Sequence, residues 1–224
     1  MDQDKMREVK LQLRRHMNGT TASIMKRLDD AYAANYGLSL QHVREVAASL
    51  SLSPQECDDL WRTRWRDLML IAAAALAPQD PEPGRVLSWA GSLPSVEMVE
   101  MLPFLLTGHM SRSLDLAEAL AARDSGFDFA LALNTAARSL QNRPSPAFDA
   151  ADVAEGLLRA AAARAAWSRP EAAAVSLLGR QCLRRGVVCC EAVDSVRASA
   201  ATRPDAPSRL AAQDISDEAE FLKH

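Results

Sequence analysis

The chain has 224 residues, of which 48% are hydrophobic and 25% charged, with a formal net charge of −3. This length can bury a sizeable core, and the small net charge excludes a chain that binds nucleic acid by bulk positive charge. Alanine and leucine dominate, while aromatic residues make up only 5%. This composition favours helices over strands.

Neither targeting nor membrane insertion is indicated. Residues 1–17 are charged throughout and lack the apolar core of a signal peptide. The best apolar run, Leu68–Ala77, is too short to cross a membrane and is typical of a buried helix. The cysteines form no C-x-x-C pattern, which favours buried, reduced thiols. We predict a cytoplasmic protein with no membrane partner.

Residues 1–50 form a predicted N-terminal helical section. Apolar residues recur at spacings of three and four, and Asn18-Gly19 is expected to end the first helix. The predicted helices are Lys5–Met17, Thr21 to about Ala33, and a helix capped by Ser39 that continues through Leu50.

A repeating pattern of paired helices follows over residues 53–200. The predicted first helices of the pairs are Ser53–Trp61, Pro83–Leu93, Ser111–Asp124 and Phe148–Ala166. The predicted second helices are Arg64–Ala77, Ser95–Gly108, Ser125–Leu140 and Arg169–Leu183. Their starts recur at about thirty to forty residues, the period of helical-hairpin repeats. A longer joint is expected at 142–146.

The end of the chain adds one helix and a tail. Val187–Ala200 is predicted as a further helix, and residues 203–224 as a polar, acidic tail with one short helix at Ser208–Gln213. The second helices are the more apolar, so each needs neighbours on several sides. We predict an all-α fold: a single α-solenoid domain of the HEAT/armadillo type over residues 1–200, built from stacked antiparallel helical hairpins.

Several stretches of the chain carry a resemblance. They are Met17-Asn18-Gly19-Thr20-Thr21, Tyr36-Gly37-Leu38-Ser39, Val43-Arg44-Glu45-Val46-Ala47 and the run from Leu60-Trp61 through Trp65-Arg66-Asp67 to Ala72. In this order they resemble the AlkD-like DNA alkylation repair family of HEAT-like-repeat proteins, in particular its short bacterial members. The resemblance covers roughly residues 5–190.

The resemblance implies a curved solenoid whose concave, basic face holds duplex DNA. Members of the family excise positively charged alkylated purines without drawing the base into a pocket, unlike base-flipping enzymes. A carboxylate near the lesion stabilises the positive sugar, and tryptophans contact the DNA backbone beside it. Neither the resemblance nor any motif in the chain implies a cofactor or a metal.

The family's catalytic positions fall near Pro103. If Pro103 matches the family proline, the catalytic aspartate falls on Val99 and the leading tryptophan on Ser95, so both are lost. Glu97 and Glu100 lie nearby and are the remaining catalytic candidates. The alternative is structural, because Glu97 suits the first turn of a helix and Glu100 a solvated face.

Positive charge is concentrated late in the chain. Residues 138–209 carry eleven arginines against seven acids, whereas residues 45–137 carry six basic against thirteen acidic side chains. The predicted DNA-binding residues are Arg138, Arg143, Arg159, Arg164, Arg169, Arg180, Arg184 and Arg185. Arginine suits bidentate phosphate contact, but at helix C-termini it also complements the dipole, so both interpretations stay open.

The four tryptophans present a similar choice. Trp61 and Trp65, with a turn expected between them, either flank DNA or fill the junction of two hairpins. Packing is favoured for them and for Trp89 and Trp167 because tryptophan is a large apolar group.

Two functions remain from the sequence alone. One is a DNA-binding protein of the alkylation-repair type, with doubtful glycosylase activity. The alternative is a non-catalytic HEAT-repeat scaffold that binds a protein or peptide.

Overall fold

A computed structural model describes residues 1–28, 30–123, 125–142, 148–186 and 190–223. In that part of the chain, thirteen α-helices and no β-strand are present. The helices are α1 Gln3–Arg15, α2 Gly19–Leu28, α3 Leu40–Ser49, α4 Pro54–Arg62, α5 Arg66–Leu76, α6 Pro83–Ala90, α7 Val96–Leu105, α8 Ser113–Arg123, α9 Asp128–Asn142, α10 Phe148–Ala163, α11 Arg169–Arg185, α12 Cys190–Ala201 and α13 Ala206–Phe221. The predicted all-α fold of helical hairpins is confirmed.

The chain forms two compact units. The first contains Met1–Pro81 and Ser92–Leu106, and the second contains Glu82–Gly91 and Thr107–His224. None of the helices in the described ranges is long and apolar enough to cross a bilayer.

Helix α5 is the centre of the first unit. Its residues are almost all buried, as the apolar run Leu68–Ala77 predicts, and α3, α4 and α7 pack against it. Burial of each leucine on such a helix stabilises the fold by about 1.5–3 kcal/mol. Polar caps set the helix starts: Ser39 caps α3 as predicted, and Ser53 with Glu56 forms a capping box on α4.

The boundary between α1 and α2 differs from the prediction. Helix α1 ends at Arg15, and Asn18 begins α2 by accepting a hydrogen bond from the main-chain N–H of Thr21 at 3.0 Å. Asn-Gly is both a helix-ending and a helix-capping signal, so spacing alone does not separate the two roles.

Gly37 lies in the loop between α2 and α3 and lets that loop pack closely against the start of α2. Its φ is +70°, and a Cβ at this position would lie 2.5 Å from the carbonyl oxygen of Asn18 and 2.7 Å from the nitrogen of Ala22. Only glycine fits such an approach in this conformation.

The second unit is built in two layers. Helices α6, α8, α10 and α12 follow one another in one layer, and α9, α11 and α13 in the other. The short helix predicted at Ser208–Gln213 is in fact the longer α13, which Asp205 caps and which packs on α11. Gly179 makes this possible, because a Cβ there would lie 2.8 Å from the Cδ1 atom of Ile215.

Two cysteines, one on α4 and one on α11, are buried. Cys57 and Cys182 are buried and reduced, as predicted. Burial raises the pKa of the Cys182 thiol to about 12, so this thiol is unreactive at neutral pH.

Candidate nucleic-acid interface and carboxylates

Two predicted arginines meet where α9 and α11 end. Arg138 donates from Nη1 to Oε1 of Gln141 at 2.7 Å. Arg185 donates from Nη2 to the main-chain oxygen of the same Gln141 at 2.5 Å. The two guanidinium groups therefore share Gln141 although 47 positions separate them in the sequence.

Arg180 and Arg184 extend this group along α11. They are four residues apart, which places them on one side of the helix. Arg184 forms a bidentate ion pair with Glu218 of α13, with both N–O distances at 2.7 Å, and its side chain stays half exposed. The Arg184 hydrogen bonds, helped by the charge of Arg180, lower the pKa of Glu218. We call Arg138, Arg180, Arg184 and Arg185 the α9–α11 arginine cluster.

The remaining predicted arginines lie elsewhere. Arg159 is on α10, in the other layer, and pairs with Glu155 at 2.6 Å. Arg164 follows α10, pairs with Glu171 at 3.1 Å and lies 4.4 Å from the Phe129 ring centroid. Arg169 begins α11, roughly 24 Å along the helix from Arg185. The predicted contact Arg143 lies outside the described residues.

Glu97 belongs to a buried polar network in the first unit. Its carboxylate accepts from Nε of Arg66 at 2.9 and 3.0 Å and from Nη2 of Arg66 at 2.6 Å. The hydroxyl of Tyr32 donates to Glu97 at 3.0 Å and is hydrogen-bonded to Ser95 at 2.6 Å. Burial, and next the charge of Glu97, raise the pKa of Tyr32.

Asp67 completes this network and is a residue that the sequence analysis misses. It is fully buried and accepts main-chain N–H groups of Tyr36 at 2.6 Å and Leu38 at 2.9 Å. Arg66 also donates to Asp67, at 3.1 Å. The only sequence signal is an Arg-Asp pair at the start of an otherwise apolar helix, and it names neither partner.

Glu100 is different from Glu97. It is exposed, and in the described part of the chain no hydrogen bond or ion pair engages it. Val96, one turn earlier on α7, is 38% exposed. Val99 and Ser95, where the Pro103 register places the family's acid and tryptophan, are 0% and 3% exposed. The outward face of α7 is therefore formed by Val96 and Glu100.

The predicted packing is confirmed for three of the four tryptophans. Trp61, Trp89 and Trp167 are buried, and the expected turn separates Trp61 from Trp65. The indole of Trp61 donates to the Ser92 hydroxyl at 3.0 Å. That of Trp167 donates to a main-chain oxygen of α10 at 2.9 Å.

Comparison with known proteins identifies the family. Residues 9–166, more than half of the chain, match the family model described as "DNA alkylation repair enzyme". No curated protein and no solved structure matches the chain. The matched residues include α7 and Arg138, whereas Arg180, Arg184 and Arg185 lie beyond them. The chain belongs to the DNA alkylation repair enzyme family.

Proposed function

We propose that the chain binds duplex DNA through backbone phosphates, with the α9–α11 arginine cluster as its contact surface in the second unit. The observation that carries this proposal is that four arginines lie in the C-terminal halves of α9 and α11, two of them sharing Gln141 and two beside Glu218, in a member of a DNA repair family. Guanidinium groups match phosphate oxygens in charge and in bidentate geometry. Such contacts position a protein on DNA without reading its sequence.

The other predicted arginines differ in their suitability for this role. Arg169 is exposed and is a further candidate contact. Arg159 and Arg164 are less suited, because they lie outside the α9–α11 arginine cluster and each is paired with a carboxylate, as Arg184 is within the cluster.

For excision, we propose Glu100 rather than Glu97 as the acting carboxylate. A carboxylate that stabilises a sugar cation on DNA must be exposed. Glu100 meets this requirement, whereas Glu97 is held by Arg66 and Tyr32. If the alignment with the family is shifted by one residue from the one that matches Pro103, the family's catalytic aspartate falls on Glu100. The family's tryptophan then falls on Val96. In that register the carboxylate is retained and only the tryptophan is lost.

The chemistry that this carboxylate serves is hydrolysis of the N-glycosidic bond of a cationic alkylated purine. The bond breaks with both electrons leaving on the base, which becomes neutral, while the sugar becomes an oxocarbenium-like cation. An anion beside the sugar stabilises that developing charge. Water then adds to the anomeric carbon and releases a proton, giving an abasic site and a free base.

Salt dependence tests the DNA-binding proposal. Because Glu218 engages Arg184, three phosphate contacts remain, and they predict a slope of about −2.7 in log affinity against log salt, or about a fortyfold loss between 50 and 200 mM. Fluorescence anisotropy with an undamaged duplex measures it. Arg138→Gln/Arg185→Gln is expected to reduce the slope by about two, while Arg159→Gln, the matched control, leaves it nearly unchanged. Affinity insensitive to salt would overturn the proposal and favour the protein- or peptide-binding scaffold.

Release of alkylated base tests the role of Glu100 separately. Methylated duplex DNA is incubated with the wild-type chain and with Glu100→Gln, and free base is quantified. Loss of one stabilising group in a transition state reduces such a rate by about a hundredfold. Absence of release by the wild-type chain would refute the catalytic assignment and leave the binding proposal standing.

A further inference from the structure

A cavity of about 770 Å³ opens in the first unit where α1 ends and α2 and α3 begin. Thirteen described residues line it, and they include Arg15, His16, His42 and Arg66 but no aspartate or glutamate. This contrasts with the chain as a whole, in which 29 acids outnumber 26 basic residues. A concave site lined by one sign of charge concentrates ions of the opposite sign.

The two histidines form a donor pair at this cavity. The ring centroids of His16 and His42 lie 4.4 Å apart with planes at 30°. His16 follows α1, and His42 lies in the first turn of α3, so the fold brings together residues 26 positions apart. An imidazole offers one N–H when neutral and two when charged, so the pair supplies two to four donors.

The arginines contribute in different ways. Arg66 is 6% exposed, and its charge is balanced by Glu97 and Asp67 behind the cavity wall. It therefore adds little net charge. Arg15 is exposed, and its Nη1 lies 3.4 Å from the neutral amide oxygen of Gln12. Its charge therefore stays available to an anion.

The main chain adds further donors to this side-chain cluster. Gly19 and Leu40, the first residues of α2 and α3, both line the cavity. Amides at such positions have no acceptor within their own helix and lie at the positive end of the helix dipole. Asn18 and Ser39 satisfy later amides of these turns, those of Thr21 and His42.

We propose that this cavity, which we call the His16–His42 pocket, binds a phosphate group. Phosphate has the multiple acceptor oxygens and the negative charge that these donors match. The group can be inorganic phosphate or the terminal phosphate of a nucleic acid strand. The pocket is independent of the α9–α11 arginine cluster and of Glu100.

Titration of the full-length chain with inorganic phosphate, followed by NMR, tests the proposal. The chain has four histidines, so the imidazole signals of His16 and His42 can be resolved and assigned. We expect saturable shifts at both rings and at the Gly19 and Leu40 amides, with half-saturation below about 5 mM. Sodium chloride at equal ionic strength is expected to leave these signals in place.

Matched variants separate the pocket from general surface charge. Arg15→Gln/His42→Gln is expected to weaken phosphate binding at least tenfold. Arg14→Gln removes the adjacent exposed charge on α1, which does not line the pocket, and is expected to bind as the wild-type chain does. Equal weakening by both variants, or no phosphate-specific shift in the wild-type chain, would overturn the proposal.

A second experiment identifies the source of the phosphate group that the His16–His42 pocket binds. A short 5′-phosphorylated oligonucleotide is compared with the same oligonucleotide lacking that phosphate. Stronger shifts at His16 and His42 with the phosphorylated strand identify a strand end as the ligand, and shifts with inorganic phosphate alone identify the free anion. Equal shifts from both oligonucleotides, together with none from inorganic phosphate, contradict a phosphate pocket.

Discussion

Arg66 and Glu97 form a multidentate ion pair between the first turns of α5 and α7, with their closest atoms 2.6 Å apart. The guanidinium is almost fully buried, while the carboxylate side chain is 28% exposed. Loss of the carboxylate therefore leaves a buried cation with Asp67 as its remaining anionic partner in the described residues. Glu97 is a structural anchor of the first unit.

This anchor distinguishes the two glutamates of α7 in a stability measurement. Glu97→Gln is expected to lower the free energy of unfolding by about 2 kcal/mol, less than for a fully buried pair because Glu97 is partly solvated. Glu100→Gln, on the exposed face of the same helix, is expected to change it by less than about 0.5 kcal/mol. Urea denaturation measures both. Equal effects of the two substitutions would show that the network does not anchor α7.

The capping box of α4 predicts a pH dependence. A hydrogen bond from Lys5, and next one from the Ser53 main chain, lower the pKa of Glu56 to about 2. Because the folded-state pKa is depressed, the stabilisation is present above the unfolded pKa of about 4.3 and is lost as the pH falls toward 2. We expect Glu56→Gln to cost about 1 kcal/mol at pH 7 and progressively less below pH 4. Denaturant titrations across this range measure the difference.

The control for this prediction is Glu45→Gln on the exposed side of α3. It is expected to change the free energy of unfolding by less than about 0.5 kcal/mol both at pH 7 and below pH 4. A Glu56→Gln effect that stays constant down to pH 2 would contradict the assignment of this pH dependence to the capping box.

These contacts mark how far the sequence predicts the structure. Ser39, Ser53 and the apolar run of α5 are local signals, and the helices begin and pack where these signals predict. Glu97 meets Arg66 across 31 positions, and no spacing rule reaches that far. The same limit applies to α13, whose docking depends on Gly179 making room for Ile215. The burial of Val99 also shows that Glu100 is the residue of α7 that faces outward. Alignment with the family alone does not decide between these two adjacent positions.

Glu218 limits the positive charge of the α9–α11 arginine cluster. Its carboxylate pairs with Arg184 in bidentate fashion, so it occupies the donors that a phosphate would use. If the cluster binds DNA as proposed, Glu218→Gln is expected to tighten binding about three- to tenfold at low salt and to steepen the salt slope by about one. Anisotropy titrations at two salt concentrations measure both quantities.

The neighbouring exposed residue provides the control for that measurement. Glu220→Gln changes the net charge by the same amount, and no side-chain contact with Arg184 is shown for Glu220 in the described residues. A substantially smaller gain in affinity is expected from it. If both substitutions tighten binding equally, net charge rather than competition for Arg184 explains the effect.

Gly37 gives the sharpest test of the packing that forms the N-terminal part of the first unit. Gly37→Ala places a Cβ 2.5 Å from the Asn18 carbonyl oxygen and also imposes a φ of +70° on alanine. Left-handed backbone alone costs about 1–2 kcal/mol, and the clash with main-chain atoms adds to it.

Gly126→Ala is the matched control, because Gly126 also has a positive φ, +54°, but a Cβ there has no neighbour within 4 Å. We expect a loss of more than about 3 kcal/mol at Gly37 and about 1 kcal/mol at Gly126, measured by urea denaturation. Similar losses at the two positions would mean that backbone strain alone, and not the close approach to α2, makes glycine necessary at position 37.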